Sequence, residues 1–287
     1  MTRSAILVTC AELPEGDGDE AAVVPALADL GFTVRWAAWD DASVDFGAAD
    51  AVVLRATWDY STRREEFVSW CESVPALYNS ATVVRWNTDK AYLAELIDTG
   101  LPVVPTTLVE PGDEARFPKS DFVVKPSVGS GSRGAARFAA GADASAHLAS
   151  LHADGHTALI QPYQSSVDTE GETALVFFGG IYSHAFAKGA MLGSTMDESG
   201  LYLTEQLAKA EPPADVRALA EDVLDGASAL LGILRAELLY ARVDVVRGAD
   251  GKPLLLELEL TEPSLGFRQA DAAAALRFAS AVRQQLA

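Results

Sequence analysis

Strand-like and helix-like segments alternate through the first eighty or so residues of this chain, and then the alternation stops. Ala5-Ile6-Leu7-Val8-Thr9 reads as a short buried strand. Asp19 to Leu30 is apolar at helical spacing and ends at Gly31. Phe32 to Ala37 and Ala51 to Arg55 read as two further strands, and Thr62 to Cys71 as a helix. Strands interleaved with helices imply a parallel sheet covered by helices, and ligands of such sheets gather at the carboxyl ends of the strands. The polar cluster Arg55-Ala56-Thr57-Trp58-Asp59-Tyr60 follows the third strand, where that rule puts a site.

Beyond a turn at Tyr78-Asn79-Ser80 the pattern changes. Asn87-Thr88-Asp89-Lys90 opens a helix, with Asn87 as N-cap and Gly100 as its end. After Pro102 and Pro105 strands dominate. Asp121 to Lys125 and Ala158 to Tyr163 are two of them, and Glu172 to Phe178 with Ile181 to Ala187 forms a hairpin turning at Gly179-Gly180. A helix starts at Pro212-Pro213 and ends near Gly232. Arg242 to Arg247 and Pro253 to Leu260 flank the turn Gly248 to Lys252, and a last helix runs from about Gln269 to Leu286. The expected fold class is therefore an α/β domain with a parallel sheet, then a longer α+β region with mainly antiparallel sheets.

The balance of 22 basic against 41 acidic residues gives a net charge of −19. Such a surface repels phosphate backbones, so nucleic-acid binding is disfavoured, while a local basic pocket for a small anion stays open. Two cysteines (Cys10, Cys71) and four histidines lack zinc spacing and are too few for a disulfide framework. No apolar run reaches the ~18 residues of a membrane span. The chain reads as a soluble cytoplasmic protein.

Three local patterns carry chemistry. In the last hairpin, side-chain alternation puts Glu257 and Glu259 on one face and Leu256, Leu258 and Leu260 on the other. The turn places Asp244 opposite about Glu257, and Arg242 shares the Asp244 face. Carboxylates that close repel unless a cation joins them, and Mg²⁺ takes one or two carboxylates plus substrate phosphates. A solvated sheet face with an Arg–Glu pair is the plain alternative. Second, Lys125-Pro126 precedes the Gly/Ser loop Ser127 to Gly134, whose Ser130, Gly131 and Arg133 offer N–H groups and charge to phosphate. It is neither a Walker A sequence nor a dinucleotide fingerprint. Third, Lys90 sits on a first helical turn. Taken singly, the loop is more often only a loop and the lysine only a surface charge.

As an ordered series these patterns resemble the ATP-grasp superfamily over about Arg85 to Leu265, with the α/β domain in the place of its usual N-terminal domain. The resemblance implies three parts: a substrate domain over residues 1–84, a small lobe with the glycine loop over 85–163, and a large lobe with the metal site over 164–287. It implies that Lys90 and Lys125 hold ATP phosphates under the loop. Gln161, Pro162 and Tyr163 would form the hinge facing adenine, and Asp168 or Glu170 would reach the ribose. Asp244, Glu257 and Glu259 would ligate Mg²⁺ (two ions), and Arg242 would face the γ-phosphate or transition state. A closer resemblance rests on Leu54-Arg55-Ala56-Thr57-Trp58-Asp59-Tyr60, Arg85 to Lys90, Gly171-Glu172, Ser183-His184-Ala185 with Lys188, and Glu257-Leu-Glu-Leu-Thr-Glu-Pro263. These look like a bacterial subgroup that includes the cyclo-ligase forming D-cycloserine from O-ureido-D-serine. Glutathione synthetases and the glutamate ligases of ribosomal protein are more distant. Two departures stand out: Glu259 holds the position of the superfamily's usual Asn, and Ala187 stands where a basic residue is expected before Lys188.

The resemblance implies an ATP-dependent carboxylate–amine ligase working through an acyl phosphate. Its substrate would be an amino acid, with a γ-glutamyl dipeptide ligase as the leading reading and intramolecular cyclisation as the close alternative. Arg55, Thr57, Asp59 and Tyr60 would face the substrate, Arg55 on a carboxylate and Asp59 on an ammonium group. Lys188 would share the anion handling with Arg242, Arg133 and Arg268. Related ligases are commonly homodimers, although no interface is legible here. A nucleotide-binding protein without turnover and a kinase are the rivals from other classes.

Overall fold

The computed structural model describes residues 2–190, 199–201 and 206–287. The first sheet is built from β1 (Arg3–Thr9), α1 (Val23–Asp29), β2 (Phe32–Ala38), β3 (Ala51–Ala56), α2 (Arg64–Ser73) and β4 (Leu77–Tyr78). Its strands run in the order β2-β1-β3-β4, all parallel, as the alternation required. The expected helix from Asp19 is half 3₁₀: residues Asp19–Ala22 form the tighter turn before α1. Two short helices follow, α3 (Ala81–Asn87) and α4 (Tyr92–Asp98).

This corrects the reading of Asn87 as an N-cap. Asn87 closes α3, and its side chain is used elsewhere, as described below. The N-cap of α4 is Ala91, without a side-chain cap, and the Asp89 carboxylate accepts the Ala91 N–H at 3.0 Å in the turn before it. Lys90 therefore sits on the connection between two helices.

The second sheet comprises β5 (Thr107–Val109), β6 (Phe122–Pro126), β7 (Ala136–Phe138) and β8 (Ala158–Pro162), in the antiparallel order β5-β8-β6-β7, with α5 (Ser145–Ala153) against it. After the single turn α6 (Val167–Glu170) comes the third sheet: β9 (Glu172–Phe178), β10 (Ile181–Lys188) and β11 (Leu207–Ala210). The chain then forms α7 (Ala214–Leu231), β12 (Tyr240–Arg247), β13 (Pro253–Glu259) and α8 (Ala274–Gln285). The sheet order is β11-β10-β9-β12-β13, again antiparallel. Among the described residues no helix is long and apolar enough to cross a membrane.

The large sheet has two different faces. One packs α7 through Val216, Leu219, Ala220, Val223, Leu224 and Ala227, a stripe at helical spacing. The other packs α8 and the first domain through Phe178, Phe186, Tyr240 and Phe278, and leaves its far end open. A bulge between Asp244 and Val245 shifts the β12–β13 register by one residue. Above the shift, Asp244 pairs with Glu257 and Arg242 with Glu259. The shift also splits the expected leucine face. Leu255, Leu258 and Leu260 join the α7 core, while Leu256 packs beside Val104 and Val246.

β13 is an edge strand, and edges need cover. Asn87 supplies part of it: its Nδ2 donates to Leu258 O at 2.8 Å and its Oδ1 accepts Leu260 N–H at 2.6 Å. Asn79 works the same way across the domain boundary. Its Nδ2 donates to Tyr240 O (2.9 Å) and Leu260 O (2.7 Å), and its Oδ1 accepts Leu239 N–H at 2.7 Å. Asn79 is fully buried, so Asn79→Ala strands three backbone groups away from water. The expected cost is about 3 kcal/mol at ~1 kcal/mol per lost bond, measured as a lowered midpoint in urea unfolding.

Candidate active site

A cleft of about 350 Å³ opens where the three sheets meet. Its lining includes Tyr60 from the first domain, Lys90, Lys125, the loop residues Gly129 to Arg133, and Lys188, Arg242, Glu257 and Glu259 of the large sheet. The cross-strand register explains the floor. Asp244 lies opposite Ala174 on one side and Glu257 on the other, and Lys188 lies opposite Glu172. All of these share one face of the sheet, because directly paired residues of an antiparallel ladder point the same way.

Asp244, Glu257 and Glu259 each place one oxygen within 4.8 Å of the others, the arrangement read from the hairpin. The surrounding cations hold them there. Lys90 Nζ lies 3.2 Å and Lys125 Nζ 3.9 Å from Glu257 Oε1. Lys188 bridges Asp244 at 2.7 Å and Glu172 at 2.9 Å. Arg242 donates to both oxygens of Asp244 at 2.9 Å and to Glu259 at 2.7 Å. Burial disfavours charge on Glu257, yet Lys90, Lys125 and Lys188 outweigh it and hold the carboxyl far below the usual range. Burial and the neighbouring Glu257 and Asp244 push Glu259 up to about 6 despite Arg242. Burial, joined by the Lys90 and Lys188 charges, pulls Lys125 down against the opposing pull of Glu257.

The donor set fits a hard divalent cation. Three carboxylates converge, and Glu257 Oε1 faces Lys90 and Lys125 at 3.2 and 3.9 Å. Converging carboxylates in a cleft lined by lysines are the chemistry a Mg²⁺–phosphate ligand takes.

The other expected residues divide. Tyr60 lines the cleft. Burial and the nearby Glu262 raise its phenol well above the ordinary value. Arg55, Thr57 and Asp59 do not line it, which corrects their assignment to a substrate. Arg55 is buried and donates to Glu20 (2.9 Å), Leu54 O (3.2 Å) and Pro263 O (2.6 Å). Asp59 accepts from Trp39 Nε1 at 3.0 Å and pairs with Arg63. Thr57 is fully buried. Gln161, Pro162 and Tyr163 end β8 beside the cleft rather than in its lining. The Gln161 amide is spent on Thr106 at 2.9 Å. Asp168 is held by Tyr163 and Arg137, so a ribose would have to displace them. Ser130, Gly131 and Arg133 line the cleft, but the Ser130 hydroxyl and Arg133 guanidinium are turned onto Trp58.

Arg268, read from sequence as an anion-handling residue, lines the cleft, as do Asp17, Tyr92, Glu262 and Ser264, which sequence reasoning did not assign. Glu262 lies three residues past the metal strand, and burial with Glu259 pushes it up to about 8. Its place in the motif Glu257-Leu-Glu-Leu-Thr-Glu-Pro263 was its available signal. Asp17 lies on a loop with none. The segment from Thr261 to Arg268 is pinned from every side. Tyr240 Oη donates to Thr261 O, Trp58 Nε1 to Glu262 O, Arg242 to Ser264 O and the Phe267 N–H to Asp19. Gly266 is required there: its φ is +62°, and a Cβ would lie 2.4 Å from the Phe186 ring.

A lysine pair, a glycine loop and a carboxylate triad in one three-sheet cleft define an ATP-grasp ligase, and known proteins of that fold superpose on the chain. The D-alanine–D-alanine ligase of Bacillus anthracis, solved with ATP, matches at TM-score 0.64 over 99% of this chain and 97% of its own, with 14% identity. Much nearer is the crystal structure of D-cycloserine synthetase DcsG, at TM-score 0.90 and 39% identity over 99% of this chain and 100% of its own. The cycloserine biosynthesis protein DcsG of Streptomyces lavendulae is 40% identical over 299 aligned positions, covering 98% of each chain. Residues 5–82 also match the family model for the D-cycloserine synthetase DcsG N-terminal domain. The chain belongs to the DcsG family of ATP-grasp ligases.

Proposed function

We propose that this chain is an ATP-dependent cyclo-ligase that closes a ring within one amino-acid substrate, of the kind that turns O-ureido-D-serine into D-cycloserine. The observation that carries the ATP-dependent activation is the meeting of Lys90 and Lys125 with Glu257 in one cleft. Ring closure is supported over joining two molecules by the full-length 40% identity to a cycloserine protein. The γ-glutamyl dipeptide reading loses support for a second reason: Arg55 and Asp59, expected to hold a free amino acid, are consumed inside the fold.

In this reading the substrate carboxylate attacks the γ-phosphoryl group of ATP in line. Lys90 and Lys125 neutralise the phosphate oxygens, and Gln161 to Tyr163 supply backbone to adenine. Asp244, Glu257 and Glu259 hold Mg²⁺, which when bound screens charge on the transferring phosphoryl. Three carboxylates exceed what one such ion takes from protein, which supports two. Arg242 and Lys188, ion-paired with Asp244, would stabilise the charge that builds on the acyl oxygen. The substrate nitrogen that bears the carbamoyl group then attacks the acyl carbon, phosphate and a proton leave while the loop keeps water from that carbon, and water afterwards removes the carbamoyl group as carbamic acid.

The test is mass spectrometry of products with Mg-ATP and O-ureido-D-serine. The expected product is the five-membered ring, lighter than substrate by the elements of carbamic acid, with one ADP and one phosphate each. A stable phosphorylated substrate would point to a kinase instead. Lys125→Ala is expected to weaken ATP binding about 10- to 100-fold by calorimetry, the worth of one charged hydrogen bond.

A further inference from the structure

The glycine loop is fastened at both ends. Its root is tied to its own lobe by Lys90 N–H to Ser127 O (2.8 Å) and Lys90 Nζ to Gly129 O (2.7 Å). Its tip reaches across the cleft to the first domain. Ser130 Oγ donates to Trp58 O at 2.8 Å. Arg133 donates to Trp58 O at 2.8 Å and to the hydroxyl of Ser61. The backbone is shaped for this. Gly131, Ser132 and Gly134 all have φ near +60 to +70°, and a Cβ on Gly134 would lie 3.2 Å from Pro126. The receiving residue is itself connected to the chemistry: the Trp58 indole donates to Glu262 O at 3.0 Å, just past the metal strand.

We propose that Ser61, with Arg133, is a latch that fastens the glycine loop onto the first domain, and that this latch couples phosphoryl transfer to ring closure. The proposal rests on the ligase reading above. When the loop is latched, the acyl phosphate meets only the substrate's own nitrogen. When it is open, water reaches the acyl carbon. Water oxygen then bonds to that carbon, the carbon–oxygen bond to phosphate breaks, and a proton leaves. The carboxylate is restored and an ATP is spent without a ring. Ser61 and Arg133 are positioning residues, since neither has to touch a reacting atom for this role.

Two measurements test the latch on the full chain. Arg133 is itself a trypsin site, and its guanidinium is held by Trp58 O and Ser61 across the cleft as well as by Ser130 within the loop. Ser61→Ala is expected to speed cleavage after Arg133 about fivefold, the weight of one hydrogen bond, with other sites cut at the parent rate. Ser61→Thr, which keeps the hydroxyl, should stay protected. With Mg-ATP and O-ureido-D-serine, phosphate released per ring formed should rise from one in the parent to several in Ser61→Ala. Parent-like cleavage and a ratio still at one would overturn the latch, as would faster cleavage at every site, the mark of general loosening. Proteolysis needs no turnover, so it judges the latch even if the parent makes no ring, a result that would instead count against the cyclo-ligase reading.

Discussion

Glu257→Gln is expected to lower kcat about 1000-fold, roughly 4 kcal/mol in the barrier, while the protein still folds. The side chain keeps its shape, so packing in the β12–β13 hairpin is preserved. What disappears is the charge that faces Lys90, Lys125 and the other two carboxylates. Without it the proposed metal site loses a charged ligand, and the two lysines lose their nearest carboxylate. The second consequence makes the prediction specific. ATP free of Mg²⁺ carries the negative charge those lysines now lack, so its affinity should be retained or tightened even as turnover collapses. Steady-state assays across Mg²⁺ concentration, paired with calorimetry in EDTA, read both effects. Turnover within a few-fold of the parent would remove Glu257 from the metal site.

The second large effect is on stability. Arg55→Met is expected to destabilise the fold by about 3 to 5 kcal/mol, because it leaves a buried carboxylate without its partner. Glu20 is 3% exposed, and Arg55 is its ion-pair partner at 2.9 Å. Burial already pushes Glu20 from its ordinary 4.5 up to about 7, against the pull of Arg55. Removing the guanidinium raises it further. A carboxyl whose folded value lies above its unfolded value binds a proton that the unfolded chain has released, so stability falls as pH rises through that window. The loss in Arg55→Met should therefore grow from pH 5 to pH 8, and urea titrations at the two pH values measure it. The Pro263 carbonyl is also released, which loosens the segment between the metal strand and Glu262. A variant with parent stability at both pH values would contradict this account of Arg55.

Arg55 also shows where sequence reading stops. It follows a parallel strand at the position where ligands gather, so a role on substrate was the natural expectation. Its partners, Glu20 and Pro263, lie 35 and 208 residues away, and nothing local announces them. Asp59 is a mixed case: Arg63 is a local partner four residues on, while Trp39 reaches it only after folding. Asn87 looked like an N-cap because caps use that residue, yet an unpaired strand edge drew its amide instead. The convergence of the three carboxylates was legible for the opposite reason. A hairpin fixes its own register within a residue, and the bulge at Asp244 supplied that residue by bringing Glu257 opposite. The parallel first sheet, the Gly179-Gly180 hairpin and the long α7 were likewise written in local periodicity. The latch between Arg133 and Ser61 joins two loops 72 residues apart and has no periodic signal at all.

The most direct test of the cleft's chemistry follows oxygen. Substrate labelled with ¹⁸O in both carboxylate oxygens is turned over with Mg-ATP, and the released phosphate is examined by mass spectrometry. Activation through an acyl phosphate moves one labelled oxygen from carboxylate to phosphorus, so each phosphate should carry one ¹⁸O. Ring product formed alongside unlabelled phosphate, or label recovered in AMP, would contradict the account.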